Sequence, residues 1–148
     1  MEDKYICYCG LYCENCAVKA KVEPSAKVLH EEMLQAGFED IIHFIPDGEA
    51  FWRFLTTISK QGSCISCQDG SGNPACRVRI CAKEKGVELC ALCDSYPCEI
   101  FGKYLEAYPM LEDDNAFFKE NGRGEWMAMQ AKRRAGGFTY TDEINNRK

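Results

Sequence analysis

The stretch CGLYCENC at residues 9–16 carries three cysteines on one short loop. Three residues separate Cys9 from Cys13, and two residues separate Cys13 from Cys16. Two thiolates with this shorter spacing can bind one zinc ion, because the intervening turn brings both sulfurs to about 2.3 Å from the metal. We therefore predict that the loop binds metal and that a distant cysteine supplies the fourth ligand.

A second group of cysteines lies between residues 64 and 98, in sequence rich in turn-forming residues. It contains the pairs Cys64/Cys67 and Cys90/Cys93, with 22 residues between the pairs, which is the layout of a zinc ribbon. Because the stretch has too few apolar residues to fold by burial alone, we expect metal ligation to order it. The predicted metal ligands are Cys9, Cys13, Cys16, Cys64, Cys67, Cys76, Cys81, Cys90, Cys93 and Cys98.

The cysteine count leaves the grouping of these ligands open. Ten cysteines are two more than two four-thiolate sites need, so some must bridge, remain free or form a third, mixed site. Cys7 lies in a possible strand, and we interpret it as a small buried hydrophobe. His30 and His43 lie in apolar helical context away from the cysteine pairs, and we interpret both as ordinary core or surface side chains.

The composition is that of a globular protein of 148 residues, 46% hydrophobic and 28% charged. The net charge of -5 argues against broad binding to nucleic acid or anionic membranes, because such binding needs clustered Lys and Arg. The sequence shows neither a signal peptide nor a run of roughly 18 apolar residues. We therefore expect a cytoplasmic protein, in which metal binding rather than disulfide formation explains the high count of eleven cysteines.

Apolar residues recur at helical spacing between the two cysteine groups. A first helix opens at Pro24, and a second is expected to begin with Asp47 as its N-cap. The residues predicted to face the core are Ala26, Leu29, Met33 and Ala36 on the first helix and Phe51, Phe54, Leu55 and Ile58 on the second. Trp52 and Trp126 are also interpreted as core residues.

The remaining chain is predicted to be helical at 77–85, from Pro97 onward, and at 113–135 with an interruption at Gly122-Arg123-Gly124. The helix after Pro97 is expected to place Ile100, Phe101, Tyr104, Leu105 and Tyr108 on one face. Residues 139–148 are predicted to be a loosely held tail, and 4–8 a possible strand. The expected fold is therefore mainly α, with irregular cysteine-rich loops and little β structure.

Local catalytic signatures such as HExxH, GxSxG and the phosphate-binding loop are missing from the sequence, so we assign no catalytic residue and favour a role other than catalysis. The CxxxCxxC spacing of the opening loop also occurs in radical S-adenosylmethionine enzymes, but 148 mainly helical residues cannot form their barrel. An iron–sulfur cluster, or thiol redox chemistry at Cys13 and Cys16, remains an alternative to zinc.

CGLYCENC, the Cys64/Cys67 pair and CRVRICAKEKGVELCALCDSYPCEIF at residues 76–101 together resemble the cysteine-rich proteins of bacteria and archaea grouped as domain of unknown function 3795. The resemblance implies a zinc-binding protein without an established activity. The family's cysteine pattern falls on the ten predicted ligands, and Arg79, Gly86 and Pro97 match its central block. The sequence departs from the family at 72–75, where some members carry a further cysteine.

Taken together, the sequence predicts a single domain over residues 1–148, with an N-terminal part (1–62), a metal-bound segment (63–108) and a C-terminal helical region with a tail (109–148). Thiolates are expected to bind Zn²⁺ at two sites. The metal's role is expected to be structural, because an all-cysteine site leaves no open position for substrate. We expect a binding module for a protein or small molecule, and neither nucleic acid nor membrane as partner.

Overall fold

The computed structural model describes residues 3–147, and these residues are mainly helical. They form seven α-helices, joined by turns, short 3₁₀ helices and one π-helical segment at Val18–Val22. The only extended pairing within residues 3–147 is a single bridge between Ile6 and Tyr12. The mainly α fold with little β structure is thus confirmed. Among the described helices, none combines the length and the hydropathy that crossing a bilayer requires.

The chain divides into two compact units. The continuous stretch Ala17–Cys64 forms one of them, which we call the hairpin unit. Residues on both sides of it, 3–16 and 65–147 among those described, form the other, which we call the cysteine unit. The single domain over residues 1–148 stays a prediction.

The hairpin unit contains α1 (Glu23–Gln35), α2 (Phe38–Ile41) and α3 (Gly48–Gln61), close to the predicted helices. Pro24 lies in the first turn of α1, where a missing backbone N–H leaves no helical hydrogen bond unmade. Asp47 precedes α3 as predicted. It adopts a left-handed conformation with φ 58°, however, and its side chain makes no capping hydrogen bond.

The core of the hairpin unit is small and lies between α1 and α3. It consists of Ala26, Met33, Trp52, Leu55 and Ile58. His30 is buried in the same region, where its ring stacks on Trp52 with 4.8 Å between centroids. Its Nε2 lies 3.1 Å from Oγ1 of Thr56. His30 is therefore a core side chain, which agrees with its interpretation from the sequence.

The structure corrects the predicted core faces of these two helices. Leu29 and Phe51 are nearly half exposed, at 46% and 45%, and Phe54 is 65% exposed. Ala36 lies beyond the end of α1 and is also exposed. The spacing of apolar residues reveals an apolar face but not how much of it a second helix covers. On α3, the covered part is the strip of Trp52, Leu55 and Ile58.

The cysteine unit contains α4 (Arg77–Lys85), α5 (Glu99–Ala107), α6 (Met110–Ala135) and α7 (Tyr140–Asn146). One part of its core consists of Ile6, Tyr12, Leu89, Ala91, Phe118 and Trp126. A second part combines Val78, Phe101 and Leu111 with three buried cysteines. The predicted face after Pro97 is confirmed, because all five of its residues pack in this second part of the core.

Helix α6 is broken at Gly122, where the sequence predicts a break. Gly122 has φ 78° and ψ 176°, a backbone conformation open almost only to glycine. The next residue, Arg123, binds the carboxylates of Asp3 at 2.9 Å and Glu88 at 2.7 Å. The break therefore places an arginine where it joins three separate segments of the unit.

The predicted loose tail at residues 139–148 is wrong for the part that the structure describes, which ends at residue 147. Thr139 caps α7 by accepting a hydrogen bond from the backbone N–H of Asp142 at 3.2 Å. The following residue, Tyr140, is only 3% exposed. A capping threonine and one buried aromatic side chain are enough to hold this polar segment as a helix.

The predicted strand at residues 4–8 is also wrong. Residues Asp3–Tyr5 form a 3₁₀ turn, and the chain then reverses direction. The backbone N–H of Cys7 donates to the Leu11 carbonyl at 2.8 Å, and that of Gly10 donates to the Cys7 carbonyl at 2.9 Å. A tight turn thus takes the place of a strand, because Gly10 accepts the positive φ of 95° that the turn requires.

Candidate metal centre

The structure brings most of the predicted ligands into one unit. Nine of the ten predicted ligands lie in the cysteine unit, and Cys64 is the last residue of the hairpin unit. All eleven cysteines are in the reduced, thiol form. Within the cysteine unit, eight of them gather in two groups, which we call the cavity group and the Cys7 group. The cavity group is Cys81, Cys90, Cys93 and Cys98. The Cys7 group is Cys7, Cys9, Cys13 and Cys67.

The cavity group lines a small, partly open cavity of about 20 Å³. The other lining residues include Val87, Tyr96 and Phe101, so the walls are largely apolar. A space of this size is close to the roughly 10–15 Å³ that one water molecule requires. Four cysteines therefore line a space comparable in size to one water molecule.

Three short elements bring the cavity group together. Cys81 lies on α4, and Cys98 is the residue that precedes α5. Cys90 begins the 3₁₀ turn Cys90–Leu92, which the backbone N–H of Cys93 closes by donating to the Cys90 carbonyl at 3.0 Å. The Cys90 N–H itself donates to the Tyr8 carbonyl at 2.7 Å. The turn at Cys90–Leu92 is thereby attached to the N-terminal loop.

The cavity group carries little compensating charge. Burial is the largest cause that raises the pKa of Cys90 to about 12, and the neighbouring Cys9, Cys98, Cys81 and Cys93 add to it. One cation lies close by, because Lys85 Nζ is 3.8 Å from the Cys93 sulfur and 3.4 Å from Oγ of Ser95. Without a further positive charge, Cys90 is held in its neutral thiol form.

The Cys7 group contains a direct contact between two buried sulfurs. The sulfurs of Cys7 and Cys13 are 3.3 Å apart, and both residues are 8% exposed. Hydrogen bonds with Cys13, Cys67 and Cys9, together with burial, raise the pKa of the Cys7 thiol well above its ordinary value. Cys7 is thus the thiol that the other three share, although the sequence led us to set it aside as a buried hydrophobe.

Cys67 is the member of the Cys7 group that favours the thiolate. A hydrogen bond from Cys7 outweighs burial and, with further help from the backbone of Tyr8 and from Arg79, lowers the pKa of Cys67 to about 6. Arg79 is 7% exposed and donates to the carbonyls of Ser71 at 2.6 Å and Asn73 at 2.8 Å. The guanidinium is therefore fixed in place beside Cys67.

The remaining predicted ligands are placed differently. Cys16 is exposed although Cys13, its partner in the CxxC pair, is buried. Cys76 precedes α4 and is half-buried against the cysteine-lined part of the core. Across residues 3–147, no group of three or more His, Cys, Asp or Glu side chains is already arranged to hold a metal ion. His43 is exposed.

Asn115 on α6 holds two cysteine-bearing loops together, a role that residue spacing does not predict. Its side-chain amide donates to the Cys9 carbonyl at 3.1 Å and to Oη of Tyr96 at 3.2 Å. Gly10 lies so close to this amide that a Cβ at position 10 would collide with it. Asn115 is fully buried. The only available signal was an uncharged polar residue at helical spacing from Leu111 and Phe118.

The N-terminal loop is also attached to the end of the chain. The backbone N–H of Tyr12 donates to Oη of Tyr140 at 2.8 Å. Tyr140 in turn donates to Oε1 of Gln130 at 3.3 Å, and Asn15 donates to the same oxygen at 2.7 Å. Hydrogen bonds, and not only sulfur contacts, therefore determine where the opening loop lies.

These features define a class of protein: a small, mainly helical, cysteine-rich chain whose thiols lie mostly within one unit. More specifically, the chain belongs to the family described as Protein of unknown function (DUF3795), which matches residues 5–103. The match includes every cysteine of the sequence. No curated protein and no solved structure matches the chain.

Proposed function

We propose that this chain is a metal-stabilised binding module in which Cys81, Cys90, Cys93 and Cys98 hold one structural Zn²⁺ ion. The observation that carries the proposal is the cavity of about 20 Å³ that these four side chains line. Thiolates are the ligands of structural zinc sites, and four of them complete its tetrahedral shell. The number and the chemistry of the donors in the cavity group therefore fit this metal.

The charge of the cavity group also supports zinc binding. The raised pKa of Cys90 reflects the cost of placing negative charge next to other thiols in a buried site. A divalent cation removes that cost, because thiols that coordinate metal release their protons. Side-chain rotation is needed to close the ligands on the ion, since the described side chains are not yet in metal-holding positions.

The size of the cavity favours a single ion over an iron–sulfur cluster. Such a cluster contains several iron and sulfide atoms and needs correspondingly more room between its cysteine ligands. A four-thiolate zinc site leaves no position open for water or substrate. The proposed role of the metal is therefore to stabilise the fold, and the proposed activity of the protein is binding rather than catalysis.

Exposed apolar side chains support the binding part of the proposal. In the hairpin unit, Phe44 is 80% exposed and Phe54 is 65% exposed, and eight further large hydrophobic side chains are exposed in the same unit. Apolar surface of this kind often marks a contact with another protein. We therefore propose a protein partner rather than nucleic acid, in keeping with the net charge of -5.

The experiment that tests the zinc site is elemental analysis of protein purified without oxygen and without a metal-binding tag. We expect the double variant Cys90→Ser/Cys93→Ser to contain one zinc ion fewer per chain than the unmodified protein. The variant Cys16→Ser/Cys64→Ser, in which neither altered residue lines the cavity, is the matched control and is expected to keep that ion. Unchanged zinc in the first variant, or iron with acid-labile sulfide in the unmodified protein, would overturn the proposal.

A further inference from the structure

We infer that Cys7, Cys9, Cys13 and Cys67 form a second thiolate site for a soft metal ion, in which Cys7 takes the place that the CxxC spacing assigns to Cys16. The proposed site shares no ligand with the cavity group. The inference thus differs from the ligand set expected from the sequence and concerns other residues than the proposed function does.

The first support is the contact pattern around Cys7. Its sulfur lies 3.3 Å from that of Cys13 and interacts with the thiols of Cys67 and Cys9. Cys7 and Cys9 are 8% and 6% exposed. Four buried or half-buried thiols around one point are the soft donor set that zinc and related thiophilic ions prefer. Cys16 is exposed, by contrast.

The second support is that hydrogen bonds within the fold bring these four residues together. The turn at Gly10 and the bridge between Ile6 and Tyr12 place Cys7 next to Cys13. The side chain of Gln68 donates to the Ile6 carbonyl at 3.0 Å, which holds Cys67 beside the same loop. The ligands are therefore gathered by hydrogen bonds that do not depend on a bound ion, which lowers the entropy cost of binding one.

The third support is the size of the change that metal binding requires. Sulfurs bound tetrahedrally at about 2.3 Å from one ion are about 3.8 Å apart. The Cys7–Cys13 sulfur contact of 3.3 Å must then open by about half an ångström. Rotation about the side-chain torsions suffices for this change. The thiols now touch one another instead of surrounding an ion, which agrees with the lack of preformed metal geometry among the described residues.

The fourth support is the local charge. Four thiolates around a divalent ion leave two negative charges in excess, which are costly where the surroundings are buried. Arg79 faces this group from α4, is itself 7% exposed, and acts directly on Cys67. One of the two excess charges is thereby offset by a guanidinium that two backbone carbonyls hold in place.

Cobalt titration of the metal-free protein under nitrogen tests the inference, because Co²⁺ in a four-thiolate site absorbs visible light. We expect the unmodified chain to develop the spectrum of two such sites and Cys7→Ser to develop that of one. Cys16→Ser, the matched control, is expected to keep both. The remaining signal of Cys7→Ser, from the cavity group, also reports that the variant is folded.

The opposite pattern, with loss in Cys16→Ser and none in Cys7→Ser, would overturn the inference, and so would two unaffected sites in both variants. A Cys7→Ser protein without any cobalt signal is compared with Cys7→Ala by circular dichroism. If both variants are folded and bind no cobalt, and Cys90→Ser/Cys93→Ser binds none either, the two groups form one shared site and the inference fails. Failure of the proposed function is distinguishable, because it leaves Cys90→Ser/Cys93→Ser with an unchanged spectrum.

Discussion

Asn115 shows how one side chain can organise two loops. Its amide nitrogen is the donor for the Cys9 carbonyl and for the hydroxyl of Tyr96, one from each cysteine-bearing segment. Both bonds are made by a fully buried residue, and the bond to the Cys9 carbonyl lies where water cannot substitute for a missing donor. The positions of Cys9 and Cys98 thus depend on an uncharged residue that binds no metal.

Replacing Asn115 by alanine is expected to lower the free energy of unfolding by about 1 to 3 kcal/mol, because the buried Cys9 carbonyl and the part-buried Tyr96 hydroxyl lose their hydrogen-bond donor. Urea unfolding of the two proteins measures this difference. Asn121→Ala is the matched control: Asn121 lies on the same helix but is exposed and bonds only to the Phe117 carbonyl in the described contacts. Its effect is expected to stay within about 0.5 kcal/mol. Equal losses in the two variants would contradict the role given to Asn115.

Residue spacing predicted the part of the candidate site in which the cysteines are close together in the sequence. The Cys90/Cys93 pair could be recognised because its two members lie in one short turn, whose geometry depends on the residues between them. The contact between Cys7 and Cys67 joins residues 60 positions apart and depends on a backbone turn at Gly10. No spacing rule contains that information, so Cys7 could not be recognised as a member of the cluster.

At the scale of elements, α6 contains two glycines with opposite roles. Gly122 has φ 78°, which no other residue type adopts without strain. Gly124 lies in the helical part that follows, and no atom would meet an added Cβ at this position. The break in the helix therefore depends on the first glycine and not on the second.

Alanine substitutions at these two positions are expected to change stability in opposite directions. Gly122→Ala should lower the free energy of unfolding by about 1 to 3 kcal/mol, because alanine is strained at a positive φ with extended ψ. Gly124→Ala should raise it by about 0.5 to 1 kcal/mol, because alanine loses less entropy in a helix. Thermal unfolding of both variants measures the two effects. A destabilised Gly124→Ala, or a stabilised Gly122→Ala, would show that the break lies elsewhere.

Helix positions were predictable from apolar spacing, but the extent of burial was not. The face after Pro97 is buried as predicted, because α5 packs along the cysteine-lined core. Phe51 and Phe54 on α3 follow the same spacing and are exposed. The two helices differ in how much of the apolar face is covered by neighbouring elements of the same unit. This coverage depends on the tertiary structure and not on the spacing of residues. The capped helix α7 was missed because its sequence is mainly polar.

At the scale of the whole molecule, each unit contains one of the two tryptophans of the chain. Trp126 is fully buried in the cysteine unit, and Trp52 stacks on His30 in the hairpin unit. Tryptophan fluorescence reports the polarity around the ring. Single-tryptophan variants can therefore follow the two units separately in one experiment.

Removal of metal by a strong chelator is expected to unfold the cysteine unit, because the binding energy of a structural metal is part of the folding energy. In Trp52→Phe, the emission of Trp126 should shift to longer wavelength as zinc is removed. In Trp126→Phe, the emission of Trp52 should change far less, since the packing of α1 on α3 contains no cysteine. A Trp126 emission that stays constant while elemental analysis shows zinc loss would contradict a structural role of the metal.

The hydrogen bond between Tyr12 and Tyr140 spans 128 residues and has a consequence for the order of events during synthesis. The hairpin unit is a continuous stretch with local packing, so it can fold as soon as its residues leave the ribosome. The cysteine unit needs both ends of the chain. Every thiol has therefore been synthesised well before the last helix that completes its surroundings. During this interval the nascent chain presents its sulfurs to whatever metal or oxidant the ribosome's surroundings contain.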